Sequence, residues 1–465
     1  MKNREKEHLK TSPTRALAAF CAGLRYDGLP ADVASKAKLC LLDFIANVYG
    51  SLELAAVGDV IGFFRKTAGA GGATVLGCGF KTNARDAAFI NGTTAEAIEA
   101  QDGFRFGGNH PGTAVIPSTL AAAEETGANG KQIIEAIVAG YEAANRPAAA
   151  MHPWHTLSGF LPTGTCGAFG AAAAAARIQD YDAGRTLNAI SNAGYLLPLS
   201  MAEQLMGGFT IKIVQGGQAA AAGLLAAGLA GAGLAGFPQV LEGSALNGGF
   251  MQITSRGEPD IGKITENLGS HFTISDIYFK PYCACRHTHG AIQATLELTG
   301  KYGISPGEID HVRVFTYGIA QLAVGKEIAE TDTFVSAQFS IPYLTAAALT
   351  DGELGPRQLS EDRLTDSRLL ALSRKVSVAT DDALNALYPE KTATRVEITM
   401  KSGKTVSRQV DMPTGDPRAP MTTTDIVAKL NACARKRAPH EIDRMVSMVL
   451  DLEHLADIRE LTGII

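Results

Sequence analysis

Three stretches of the 465-residue chain gather side chains able to do chemistry. The first runs Glu99-Ala100-Gln101-Asp102-Gly103-Phe104-Arg105-Phe106-Gly107-Gly108-Asn109-His110-Pro111-Gly112. It puts an acid (Asp102), a guanidinium (Arg105) and an imidazole (His110) on a glycine-rich loop at a predicted helix end. Histidine can take or give a proton near neutral pH, with the aspartate orienting it or titrating itself. A glycine-rich connector with a capping aspartate explains the same residues.

The second stretch is Lys280-Pro281-Tyr282-Cys283-Ala284-Cys285-Arg286-His287-Thr288-His289. Cysteine and histidine are zinc ligands, but no Cys-x-x-Cys pair and no matching cluster elsewhere completes a structural site. An anion-binding patch fits better, because arginine grips a carboxylate in two places and lysine adds a point charge. A strand end with exposed cations is the plain alternative. The third stretch, from His152 through Trp154, His155 and Leu161 to Gly167, leads into a helix whose first amides can hold an anion. Its histidines serve equally as loop packing. Cys166 and Cys285 sit in no context that demands a nucleophile. Gly231-Ala232-Gly233-Leu234-Ala235-Gly236 has dinucleotide-binding spacing but follows a helix instead of a strand, so it reads as a decoy.

The elements that must position these residues are mostly helical. Val33, Ala37, Leu41, Phe44 and Val48 recur at helical spacing over 30–50. Further helices are predicted over 117–125, 129–144 and 167–178, the last with six consecutive alanines at 171–176 suited to a bundle centre. Residues 213–241 read as a buried helix pair; length would allow a membrane span, but Ala, Gly and two glutamines give little transfer energy into lipid. The pattern changes near residue 274, with strands predicted over 274–282, 309–317 and 376–379 and a hairpin over 394–412. Helices over 291–302 and 336–349 lie between, and 424–434 and 439–461 return to helix. The fold class is thus mainly α with an inserted α+β domain: a helical domain over 1–270, an α+β lid over 271–419, and a helical return over 420–465.

Composition narrows the function. A net charge of -5 gives no basic face for nucleic acid, and any carboxylate site must be made positive locally. The charged stretch over 1–15 has no apolar run before a cleavage site, and seven irregularly spaced cysteines fit a reducing cytoplasm.

Taken together, the chain resembles the MmgE/PrpD family, which includes 2-methylcitrate dehydratases, cis-aconitate decarboxylases and iminodisuccinate epimerases. The segments that carry the resemblance are Ile90-Asn91-Gly92, His110-Pro111-Gly112 with Pro117 and Ala123-Glu124, Pro162 to Gly170, Lys280-Pro281-Tyr282 with Arg286 and His289, and Gln338 to Tyr343. The resemblance implies a two-domain homodimer without metal or other cofactor, and a small polycarboxylate substrate. It implies catalytic roles for Asp102, His110, Lys212, Lys280 and Tyr317. Arg105, His155, Cys285, Arg286 and His289 stand beside them as expected substrate-binding residues. Lys212, Lys280 and Arg286 would hold carboxylates while His110, oriented by Asp102, moves a proton next to one of them, with Tyr317 as partner acid. A lyase is expected, with an epimerase or a non-catalytic metabolite-binding relative as alternatives. The loop departs from the family's usual run, Leu161 replaces a frequent histidine that His155 would have to supply, and Cys285 replaces another.

Overall fold

The computed structural model describes residues 12–67 and 69–465, so most of the polar 1–15 stretch lies outside the described residues. The helical part is organised around the Pro162–Ile178 helix, every residue of which is buried. Its small side chains allow neighbouring helices to approach closely. A Cβ on Gly170 would come within 2.6 Å of the Gly140 carbonyl oxygen, so the Gly130–Met151 helix can pack here only against glycine. The Ala84–Ala97, Gly112–Thr126 and Gln215–Gly231 helices close the bundle around it. Asn91 and Gly92 are structural. The Asn91 amide receives Leu76 N and donates to the Thr74 carbonyl, both at 2.9 Å, which pins a short hairpin to the bundle.

The lid is built on a four-stranded sheet in the order Val376–Thr380, Ile309–Thr316, Thr394–Met400, Thr405–Val410. The first pair is parallel and the others antiparallel. The His289–Tyr302 and Ile341–Asp351 helices cover it. The C-terminal Thr423–Cys433 and Pro439–Leu450 helices pack on Ala31–Ser51, and Ile426, Leu430, Met445 and Val449 enter the same core as Leu41 and Ile45. The lid has its own core, which begins on Ala97, Ile98 and Ala100 of the helical part. The two cores therefore meet at the end of the Ala84–Ala97 helix.

Several elements differ from the sequence expectation. The strand over 274–282 shrinks to Ile277–Tyr278, paired with Gly103–Phe104. Ile277, Tyr278, Phe279 and Lys280 are all buried, because this segment is enclosed on both sides as it crosses from bundle to lid. The expected helix pair over 213–241 is one helix, Gln215–Gly231; the chain turns at Gly233, φ +96°, and runs on without helix. Thr210–Gly231 is long and apolar enough to cross a membrane, but two-thirds of it is buried within the protein. The helix expected from Pro117 begins earlier, at Gly112, with Pro117 inside it. The helix over 336–349 is split, and Ser340 caps its second half by accepting from Tyr343 N at 3.2 Å. The helix expected over 439–461 stops at Leu450, and a separate short helix follows at Arg459–Thr462.

Candidate active site

The Ala84–Ala97 helix ends in a turn that carries Glu99 in the left-handed region, φ +55°. Its carboxylate is buried between two lysines from distant parts of the chain. Lys280 donates to Glu99 Oε1 at 2.8 Å and to the Glu99 carbonyl at 3.1 Å. Lys212 donates to Glu99 Oε2 and, at 2.9 Å, to Glu96 Oε1. Gln215 and Gln101 add their amides to Glu96 Oε1, at 2.7 and 3.1 Å. Burial alone would raise the Glu99 pKa, but Lys212 and Lys280 outweigh it and hold the carboxyl well below its ordinary range. Burial likewise opposes the charge on Lys212, and Glu96 with Glu99 raises its pKa instead.

His110 stands at the rim of this cluster, half-buried. Its Nδ1 lies 2.7 Å from the Asp102 carbonyl oxygen, which can only accept, so Nδ1 carries the proton in the neutral ring. Nε2 is then the free lone pair, 3.8 Å from Glu99 Oε1. Burial, followed by Lys280, pushes the His110 pKa down to about 4 against the pull of Glu99. The neutral imidazole can therefore take up a proton at Nε2 when negative charge arrives beside it.

Asp102 differs from the expectation. Its carboxylate does not touch His110; it accepts from Tyr141 Oη at 2.5 Å and Gly112 N at 3.1 Å, and only its main-chain oxygen orients the histidine. Burial raises its pKa to about 7. The acid held between the two lysines is Glu99, three residues earlier in the same turn.

Tyr317 is fully buried, with its hydroxyl 2.6 Å from Nδ1 of His287 and its ring stacked on Tyr388 at 4.7 Å. Arg286 is held over the Tyr278 ring at 5.2 Å and donates to the Thr414 and Pro413 carbonyls at 2.7 and 2.6 Å. Tyr278 meets His110 edge-on at 6.5 Å, which links Arg286 to His110 through one ring. Cys285 is partly exposed, and burial together with Glu99 raises its thiol to about 11, so it stays protonated.

Three other expected residues face elsewhere. Arg105 donates to the Pro389 and Glu390 carbonyls, at 3.1 and 3.3 Å, and so fastens the loop to the lid. His155 is buried between Phe160 and Phe250, with Nε2 on Thr165 Oγ1 at 2.8 Å and Nδ1 on Thr254 at 3.1 Å. Both ring nitrogens are occupied, so it cannot stand in for a histidine at 161. His289 is fully buried and bonds Ala284 O at 3.0 Å as it opens the next helix. Cys166 is also buried in the central helix.

The structure therefore assembles His110, Lys212, Lys280, Arg286, Cys285 and Tyr317 and adds Glu96, Glu99, Tyr278 and His287. The cluster is less cationic than expected, since Glu96 and Glu99 oppose Lys212 and Lys280 one for one. Among the described residues no group of three His, Cys, Asp or Glu side chains is placed to hold a metal ion.

Profiles of the MmgE/PrpD N-terminal and C-terminal domains match residues 15–261 and 282–453. The chain belongs to the MmgE/PrpD family. Its similarity extends to whole proteins. A cis-aconitate decarboxylase of Aspergillus terreus is 27% identical across 97% of this chain and 95% of its own length. The Mus musculus cis-aconitate decarboxylase is 24% identical over 98% of this chain and 93% of its own. That of Homo sapiens is 25% identical over 82% and 79%. The boundary between the two profiles falls where the chain crosses from bundle to lid, beside Lys280.

Proposed function

We propose that this MmgE/PrpD protein is a lyase acting on a small di- or tricarboxylate, and that decarboxylation of a cis-aconitate-like acid is its reaction. The observation that carries this reading is the convergence of Lys212, Lys280 and His110 on Glu99 in a buried turn between the two cores. The names of the relatives supply the substrate class.

In this reading the free donors of Arg286, Lys212 and Lys280 receive the substrate's carboxylates. Loss of carbon dioxide leaves an electron pair on the adjacent carbon, delocalised toward a remaining carboxylate that the lysines stabilise. His110 delivers a proton to carbon from Nε2. It is neutral in the free protein, and the negative charges of the bound acid raise its pKa so that it enters the complex protonated. That single proton completes the step, and Tyr317, with its hydroxyl set by His287, serves as a hydrogen-bond donor to the substrate without giving up its proton. The chemistry moves protons and transfers no electrons to an acceptor, so the proposal includes no cofactor.

Exposed apolar side chains, among them Phe209, Ile211, Tyr195, Leu199 and Met201, support a homodimer. Light scattering on the purified protein tests that assignment. Seven free cysteines support a cytoplasmic location.

The functional test is incubation with cis-aconitate, citrate-like and aspartate-derived acids, with products followed by NMR. The expected result is carbon dioxide release from the aconitate-like acid. Stereochemical inversion without loss of any group would replace the lyase reading by an isomerase. No change in any acid would leave a metabolite-binding protein.

A further inference from the structure

A glutamate in the left-handed region costs about 1 kcal/mol or more, and such a conformation persists where its surroundings hold it. The turn that contains Glu99 is held by its carbonyls. Ala97 O accepts from Gln338 Nε2 at 2.7 Å, Glu99 O from Lys280 at 3.1 Å, and Asp102 O from His110 at 2.7 Å. The fourth, Ala100 O, accepts at 2.5 Å from Lys429, which reaches in from the C-terminal Thr423–Cys433 helix.

Lys429 is itself held. Its ammonium lies 2.7 Å from Asp43 Oδ1, and Asn47 donates to the other oxygen of Asp43 at 2.9 Å. Asp43 is 1% exposed and Lys429 8%. A buried ion pair is a poor source of stability, since apolar residues of similar size often do as well. Docking of the helix does not require it either, because Ile426 and Leu430 already bury that face. What an apolar pair would lack is a donor for Ala100 O, one residue beyond Glu99.

We propose that Lys429, anchored by Asp43, is a positioning residue for the active site: it fixes the Ala100 carbonyl and so holds Glu99 in the conformation that places its carboxylate between Lys212, Lys280 and His110. It touches no substrate. The C-terminal return thereby completes a site formed by the bundle and the lid.

The test replaces both charges together, Asp43→Asn with Lys429→Met, so that no buried charge is stranded. The expected protein unfolds near the wild-type temperature. Its His110 ring signals titrate at lower pH by NMR, because the Glu99 carboxylate supports the protonated ring. Its kcat falls about 10- to 100-fold, as a displacement of up to about 1 Å at the reacting groups does, with little change in KM. The kinetic arm rests on the lyase reading, whereas the titration needs no turnover; an inactive wild type would sink that reading and leave His110 to judge Lys429. If the double variant does not fold, Lys429→Gln keeps a donor for Asp43 but is too short to reach Ala100 as well, and the same readouts apply. Unchanged His110 titration and kcat in a folded variant would overturn the proposal. So would a lowered unfolding temperature with the kcat of the folded fraction intact, which would make Lys429 a helix dock only.

Discussion

Glu99 and Lys280 are joined twice: the lysine donates to the carboxylate of Glu99 and to its main-chain oxygen. The pair locks a side chain and a backbone conformation at once. Glu99→Gln keeps the shape and removes the charge that Lys212 and Lys280 share. The expected result is a kcat lower by about 100-fold or more with KM unchanged or reduced, since the cleft becomes more positive. Steady-state kinetics on the accepted acid checks it; equal effects on kcat and on the unfolding temperature would assign Glu99 to folding alone.

His110 makes substrate binding pH-dependent. Its pKa is about 4 in the free protein, and a bound polycarboxylate raises it. Binding then takes up a proton between the free and bound pKa values, and affinity weakens about tenfold per pH unit as pH rises through that window. Calorimetry in buffers of different ionisation enthalpy measures the uptake. Binding with no proton exchanged would contradict the tautomer and the role assigned to Nε2.

His287 and His155 separate by effect. His287→Leu removes the partner of the Tyr317 hydroxyl and is expected to lower kcat about tenfold or more, as loss of a group that orients a proton donor does. His155→Phe strands Thr165 and Thr254 and is expected to cost stability, about 1–3 kcal/mol, with kcat of the folded protein unchanged. Thermal unfolding beside kinetics distinguishes them.

Asp102 gives the fold its own pH dependence. Its folded pKa, raised to about 7 by burial, exceeds the value near 3.9 expected of the unfolded chain. The folded state binds more protons between these values, so the stability from Asp102 is present below pH 4 and declines as pH rises toward 7. Asp102→Asn mimics the protonated carboxyl and should flatten this decline. Urea unfolding of both proteins at pH 5 and pH 8 measures it; parallel declines would show that another group is responsible.

The helical scaffold was legible because core positions repeat at the helical period: Val33, Ala37, Leu41, Phe44 and Val48 are all buried. His110, Lys212 and Lys280 were legible from residue type and from the family resemblance. Glu99 is harder to read from sequence, because an acid at a helix end usually faces water. Its lysines lie 113 and 181 residues away, and no local pattern shows that a turn is enclosed between two cores. A signal is present: Glu96, Glu99 and Asp102 stand three residues apart in a stretch, 87–104, that has no basic residue. His287, and not the expected His289, lies beside Tyr317 for a local reason. A short 3-10 turn over Arg286–Thr288 leads into a helix, which leaves His287 partly exposed beside Tyr317 and turns His289 into the core.

The most direct test follows deuterium from heavy water into product, comparing wild-type protein with His110→Ala at matched folded concentration. The account predicts carbon-bound deuterium in the decarboxylated product of the wild type and a rate lower by about 100-fold or more in the variant. Deuterium incorporation at the wild-type rate without the imidazole would contradict it.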